Sequence, residues 1–251
     1  MEKKLVLISG SSKGLGASLA RSFINNNYLV AINYFKSKEE AMSLSNELGD
    51  NAKSFYCDVS NCKDVELLMA KIKESFNQMP SILINNAIPK YVFNGDDRKL
   101  AADITWQEIQ DHLDVTLKGS LNLIQSLIPS MSENSYGRII NIGTNLVQNP
   151  VVPYHDYTIA KSALLGLTRT FAKDLGQMGI TVNMISGGLL KITDASAATP
   201  DFVFDAIAEM TPLKKVTTIE EFSDVVLFFA SEGARSITGQ NLIVDGGLTF
   251  K

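Results

Sequence analysis

The stretch LVLISGSSKGLG, residues 5 to 16, decides the fold. Its first half, Leu5 to Ser9, is a short and almost continuously apolar run, the pattern of a strand buried on both faces. Its second half carries Gly10, Gly14 and Gly16 and opens into helical periodicity from residue 15. Glycines at these positions let the chain turn tightly and approach a pyrophosphate. The charge of that group would be met by backbone N–H groups at the positive end of the helix. The spacing is Gly-x-x-x-Gly-x-Gly rather than the commoner Gly-x-Gly-x-x-Gly, and a glycine-rich turn with no ligand has the same composition. Its position directly after the first strand favours the nucleotide reading.

The same rhythm continues outward along the chain. Apolar runs at Leu5 to Ser9, Tyr28 to Asn33, Ala52 to Tyr56, Ile82 to Asn85, Arg138 to Gly143, Thr181 to Ser186 and Asn241 to Val244 alternate with helical-period segments. Those segments lie near 15–28, 37–48, 61–78, 105–131, 154–178 and 218–232. Alternation of this kind predicts a doubly wound α/β domain, a parallel sheet with helices on both faces. Ser60 is the expected cap of the third helix, Pro80 closes it, and Thr218 with Glu221 forms a capping box. No linker divides residues 1–251, so a single domain is expected. Two stretches break the rhythm, Lys90 to Asp103 and Gly187 to Pro212, and both are rich in small and polar residues. In an open α/β sheet such loops line the ligand crevice. Both are assigned to substrate contact, residues 187–212 as a mobile lid.

Composition excludes several classes. The chain has 251 residues, 45% hydrophobic and 20% charged, with net charge −4. Its basic residues are scattered, which argues against nucleic acid and a polybasic membrane patch as partners. No apolar stretch approaches the ~18 residues of a membrane span, and Leu5 to Ile8 is too short for a signal sequence. Cys57 and Cys62 lack Cys-x-x-Cys spacing and a histidine partner, so neither a zinc site nor a disulfide framework is expected. These features predict a cytoplasmic, reduced, metal-free protein.

The end of the second strand bears on cofactor choice. A carboxylate there would bind the ribose hydroxyls of NAD and repel the extra phosphate of NADP. The chain reads INYFKSKEE, with Lys36, Ser37 and Lys38 before any acid, and Lys13 in the glycine turn adds charge at the same corner. NADPH is therefore expected over NADH. Asp58, after the third strand, reads either as an acceptor for the adenine amine or as a local Asx-turn. Asn85 and Asn86, before Ala87, either face the cofactor while tying neighbouring strands together or simply end the fourth strand. In PYHDYTIAK, residues 153 to 161, Tyr157 and Lys161 stand four apart. On a helix they share one face, about 6 Å apart at Cβ. An ammonium that close lowers a phenol's pKa towards a range useful for proton transfer. The same spacing also occurs on solvated helix faces.

Taken together, SGSSKGLG, CDVS, NNA, GRIINIGT, YTIAK and TGQNLIVDGG resemble the short-chain dehydrogenase/reductase family in order and spacing, over essentially the whole chain. Within it the chain is most similar to the bacterial 3-oxoacyl-(acyl carrier protein) reductase group. The resemblance implies a Rossmann fold with a seven-stranded parallel sheet, NADP or NAD, a small carbonyl or acyl-thioester substrate, and a homotetramer built through the two long helices and the last strand. It implies that Tyr157 is the general acid in ketone reduction, that Lys161 lowers its pKa and binds the nicotinamide ribose, and that Thr144 stands where the family generally has a substrate-binding serine. The cofactor-binding set would be Gly10, Ser12, Lys13, Gly14, Leu15, Gly16, Lys36, Ser37, Asp58, Val59, Asn86, Ala87, Tyr157, Lys161, Gly187, Gly188 and Leu190. His155 and Asp156 match no catalytic position and are expected to shape the helix start and pocket rim.

Departures are also legible. Thr116 replaces an asparagine of the family's water-linked proton relay, offering one hydroxyl for an amide. Gly187-Gly188 replaces Pro-Gly, Ile88 replaces a glycine, and the nicotinamide-contacting threonine position falls on Ile192, beside Thr193. Arginines that carrier-protein reductases often present are absent at Glu133, Asn134, Ser135 and Met178, which weakens the carrier-protein reading against a free ketone or coenzyme A ester. A non-catalytic NADP(H)-binding or structural subunit is the reading from a different class. Retention of Tyr157, Lys161 and Thr144 weighs against it.

Overall fold

Every apolar run of the sequence becomes a strand of one sheet in the computed structural model, which describes residues 3–93, 95–191, 196–197 and 199–250. The order along the chain is β1 (Leu5–Ile8), α1 (Gly14–Asn25), β2 (Leu29–Tyr34), α2 (Lys38–Leu48), β3 (Ala52–Tyr56), α3 (Cys62–Phe76), β4 (Ile82–Asn85), α4 (Trp106–Leu113), α5 (Gly119–Glu133), β5 (Gly137–Thr144), α6 (His155–Leu175), β6 (Ile180–Gly187), α7 (Asp201–Met210), α8 (Ile219–Ala230) and β7 (Asn241–Val244). The strands are all parallel and ordered β3-β2-β1-β4-β5-β6-β7. Alternate side chains leave a strand on opposite faces. On β1, Leu5 and Leu7 enter a core shared with α3 and α5, whereas Val6 and Ile8 enter one shared with α1 and α8. Burial on both sides is why these strands read as unbroken apolar runs. Winding reverses between β1 and β4, opening a crevice at the carboxyl ends of the strands.

Local signals mostly act where expected. Thr218 and Glu221 form the capping box of α8. The third helix differs at its start: Asn61 is the cap, accepting from Lys63 N at 3.0 Å, because Ser60 is drawn into the Asp58 turn. It ends at Asn77, in the left-handed conformation with φ 54°, before Pro80 is reached. The segment read as one helix over 105–131 is α4 and α5 joined by a π turn, Asp114–Lys118. The Thr116 carbonyl on this turn accepts from Ser120 Oγ at 2.6 Å. Residues 187–212 are not all loop. Asp201–Met210 is helical because Val203, Ile207 and Met210 recur at helical spacing and line the crevice, while Phe204 is buried. Ile192 and Thr193 lie outside the described residues. Among the described residues no helix is long and apolar enough to cross a membrane. Cys57 and Cys62 are both free thiols.

Candidate active site

The glycine turn is held from two sides, by Asn86 and Asn33. Gly10 (φ +61°) and Gly14 (φ +55°) occupy left-handed backbone that side chains rarely adopt. Asn86 Nδ2 donates to Ser9 O at 3.0 Å and to Gly10 O at 2.9 Å, and Asn33 Oδ1 accepts from Gly10 N at 3.0 Å. A Cβ on Gly16 would lie 2.5 Å from Gly10 O and 2.6 Å from Ser11 Cα. The turn therefore tolerates no side chain there, and its backbone is bared to the crevice. Lys13 begins α1 without a side-chain cap, leaving amide donors of the first turn for an anion. This cradle fits a dinucleotide pyrophosphate. Asn33, Ser9 and Ser11 were not anticipated from the sequence. They bind backbone groups of other strands, and no local pattern marks them.

A single cleft of about 1610 Å³ collects the other expected residues. Around it lie 10 and 12–16, Lys36 and Ser37, Asp58 and Val59, Asn86 and Ala87, Thr144, Tyr157 and Lys161, and Gly187, Gly188 and Leu190. Thr116 is the exception. It is buried on the π turn, off the cleft lining, and its Oγ1 has no hydrogen-bond partner among the described residues. No carboxylate occurs from the end of β2 to Lys38, and exposed Phe35 adds an aromatic face beside Lys36. Asp58 Oδ1 accepts from Ser60 N and Oγ at 3.0 and 2.7 Å, so the Asx-turn is formed while the residue still lines the cleft. Asn85 joins β4 to β5 through Asn141 at 2.8 Å, and Asn141 reaches Thr168 on α6 at 2.8 Å. Glu133, Asn134, Ser135 and Met178 precede β5 and β6, at the opposite end of the sheet from the cleft.

Tyr157, Lys161 and Thr144 converge, the first two on one face of α6 and the third at the last residue of β5. Burial pushes the Tyr157 phenol up to about 12, while a hydrogen bond with the Thr144 side chain pulls it down. Burial also pulls the Lys161 ammonium down to about 7. Its Nζ donates to Ile142 O at 2.6 Å and sits 5.7 Å from the Tyr157 ring centroid. The expected lowering by Lys161 is not among the influences on this phenol, which are burial and Thr144; the lysine is itself desolvated and directed at a carbonyl.

Three aromatic groups missed in the sequence reading surround Tyr157. Tyr91 stacks on it at 5.5 Å and 16°, with Phe93 and His112 edge-on at 5.4 and 6.1 Å. They come from the loop after β4 and from α4, distant in sequence from α6. Asp156 accepts from Tyr91 Oη at 3.3 Å and lies 3.5 Å from His112 Nε2.

A glycine cradle at the switch point of a parallel sheet, with a buried phenol and ammonium beside it, defines a dinucleotide-dependent oxidoreductase. A family model described as enoyl-(acyl carrier protein) reductase matches residues 10–249. The 3-oxoacyl-[acyl-carrier-protein] reductase of Staphylococcus aureus is 33% identical over 250 residues, covering 98% of each chain. That of Haemophilus influenzae is 30% identical over 249 residues, covering 99% of each. A solved crystal structure, provisionally described as a betaketoacyl-ACP reductase, superposes with TM-score 0.84 at 28% identity over 98% of each chain. The chain belongs to the short-chain dehydrogenase/reductase family, and it is an oxidoreductase acting on CH–OH and C=O groups.

Proposed function

We propose that this protein uses NADPH to reduce a 3-oxoacyl thioester, presented on an acyl carrier protein, to the secondary alcohol. The observation that carries the reading is the convergence of Tyr157, Lys161 and Thr144 beside the glycine cradle. When bound, the reduced nicotinamide supplies the hydride. Gly10 to Gly16 and the start of α1 would hold its pyrophosphate, Asn86 and Ala87 the nicotinamide side, and Lys161 the ribose. Thr144 holds the substrate carbonyl through its hydroxyl, and Tyr157 gives its proton to the oxygen as negative charge develops there. A phenol held at about 12 keeps that proton at neutral pH and releases it only to a strongly basic oxygen. Lys161, fixed by the Ile142 carbonyl, faces the phenolate that forms. Monitoring NADPH oxidation with carrier-bound and coenzyme A-bound 3-oxoacyl chains and with unrelated ketones tests the assignment. Turnover confined to unrelated ketones would overturn it. That second reading, a free ketone, is favoured by the aromatic wall of Tyr91, Phe93 and Tyr154 along the cleft.

NADPH preference rests on Lys13 and Lys36, both lining the cleft where no carboxylate follows β2. Replacing both with alanine is expected to raise Kd for NADPH and barely alter that for NADH. Each charge-assisted phosphate contact contributes about 1.5–3 kcal/mol. Equal weakening of both cofactors in a titration would show that the lysines read only the shared pyrophosphate.

Thr116 supports a second part of the reading. Its Oγ1, buried and unpartnered among the described residues on the π turn that packs against α6, would anchor one water of a relay returning a proton to Tyr157. Thr116→Val keeps the volume and removes the anchor, so kcat should fall by roughly the few-fold to tenfold that a lost hydrogen bond gives. Thr116→Asn should equal or exceed the parent rate. Steady-state kcat in H2O and D2O checks both. A valine variant matching the parent in rate and isotope effect would make Thr116 a packing residue.

The free thiols fit a reducing cytoplasm. Exposed Trp106 on α4, Ile159 on α6 and Leu242 on the edge strand β7 support a homotetramer joined through those elements, and sedimentation measures it.

A further inference from the structure

Asp156, the second residue of α6, is bonded beyond the needs of a helix start. Its Oδ1 accepts from Tyr157 N at 2.9 Å and from Tyr91 Oη at 3.3 Å, and its Oδ2 faces His112 Nε2 at 3.5 Å. An acid in the first turn of a helix is satisfied by the backbone amides and the helix dipole alone. Here it also ties α4 and the loop after β4 to the residue preceding the proton donor. Both aromatic partners press on that donor: Tyr91 lies nearly parallel to the Tyr157 ring, and His112 is edge-on to Tyr91 at 4.9 Å and to Tyr157 at 6.1 Å. His112 is buried, and its Nδ1 has no hydrogen-bond partner among the described residues. An apolar side chain would fill the same space without that desolvation cost. What it would not supply is a titratable group against Asp156.

We propose that the titratable His112 and the Asp156 carboxylate it faces form a pair that, with Tyr91, positions the Tyr157 ring for proton transfer, making His112, Asp156 and Tyr91 positioning residues for the reduction. The proposal rests on the reading of Tyr157 as proton donor. The groups facing His112 are Asp111 on its own helix, Asp156, Tyr157 and Lys161 on α6, and Tyr91 from the loop after β4. Burial lowers the imidazole pKa below its ordinary value, Asp156 raises it, Lys161 lowers it, and Asp111 raises it. At neutral pH His112 is therefore uncharged, with its Nε2 3.5 Å from the Asp156 carboxylate. As pH falls below the ordinary histidine range it gains a proton, and a full charge appears beside the Tyr157 ring.

The test uses the full chain. It contains two histidines, so the Hε1 resonance of His112 is identified by its loss in His112→Gln. A proton NMR titration should place its midpoint below the ordinary histidine value. Asp156→Asn, which keeps acceptors for Tyr157 N and Tyr91 Oη, should move that midpoint lower still by removing the carboxylate that stabilises the imidazolium. In turnover, His112→Gln, Asp156→Asn and Tyr91→Phe should each lower kcat about ten- to hundredfold, the size expected from misplacing a reacting group. NADPH affinity should stay within about twofold, since none of the three belongs to the cofactor cradle. An acid-side inflection of kcat should vanish in His112→Gln. Tyr91→Phe removes a single hydroxyl and keeps the ring stack, so it reads positioning even if the other two variants fold poorly. A His112 midpoint unmoved by Asp156→Asn overturns the pair. Parent kcat and an unchanged pH profile in Tyr91→Phe overturn the positioning role. If Tyr157→Phe itself stays active, the failure lies with the proton-donor reading, and the NMR midpoint still decides the pair.

Discussion

Tyr157→Phe should abolish ketone reduction while leaving NADPH affinity nearly unchanged. The substitution removes the transferable proton and the hydrogen bond with Thr144, but it keeps the ring that stacks on Tyr91. General acid catalysis typically supplies ~10²–10⁴-fold, and a phenylalanine at this position has nothing to transfer. The fold should be untouched, because the ring remains within its aromatic surroundings. Lys161→Ala is expected to differ in kind. It removes a buried group bonded to Ile142 O, so both turnover and cofactor affinity should fall. The pair of variants thus separates proton supply from cofactor binding in steady-state kinetics and a fluorescence titration with NADPH. A phenylalanine variant retaining more than about a tenth of kcat, under ~1.4 kcal/mol of barrier, would require another acid.

Gly16→Ala should be nearly as severe by a different route. The added methyl would meet Gly10 O at 2.5 Å, Ser11 Cα at 2.6 Å and Asn86 Nδ2 at 2.9 Å. Two of these are backbone atoms of the turn and cannot rotate aside, so α1 must move away from β1 or the turn must open. Overpacking of this kind costs ~1–3 kcal/mol of stability. The larger effect should fall on the cofactor, because the same displacement separates the α1 amides from the pyrophosphate position and breaks the Asn86 clamp. Thermal unfolding and a dinucleotide titration read the two consequences separately. A variant that binds NADPH with parent affinity would place the pyrophosphate elsewhere.

Much of this site is legible in local pattern. Apolar runs show the strands because both sheet faces are covered, and the glycines after β1 show the turn because only glycine takes those backbone angles cheaply. Tyr157 and Lys161 are visible as a pair because helical spacing brings positions four apart onto one face. The end of β2 shows its lack of a carboxylate in plain sequence. Boundaries set by competing caps were less legible. Ser60 and Asn61 both suit a helix start, and only the Asp58 turn decides between them. Within residues 187–212 small polar residues concealed the helical spacing of α7.

By itself, then, the sequence determined a doubly wound sheet, the place of the glycine cradle and the phenol–ammonium pair. These depend on backbone geometry and on neighbours a few residues away. The tertiary structure alone decided what surrounds that pair: Tyr91 and His112 against Tyr157, the π turn under Thr116, and Asn33 bracing Gly10. Those contacts join residues far apart in the chain, such as Tyr91 and Asp156, which are 65 positions apart. They leave no period or spacing to read. The ionisation of the pair is decided there too, because desolvation depends on every element packed around it.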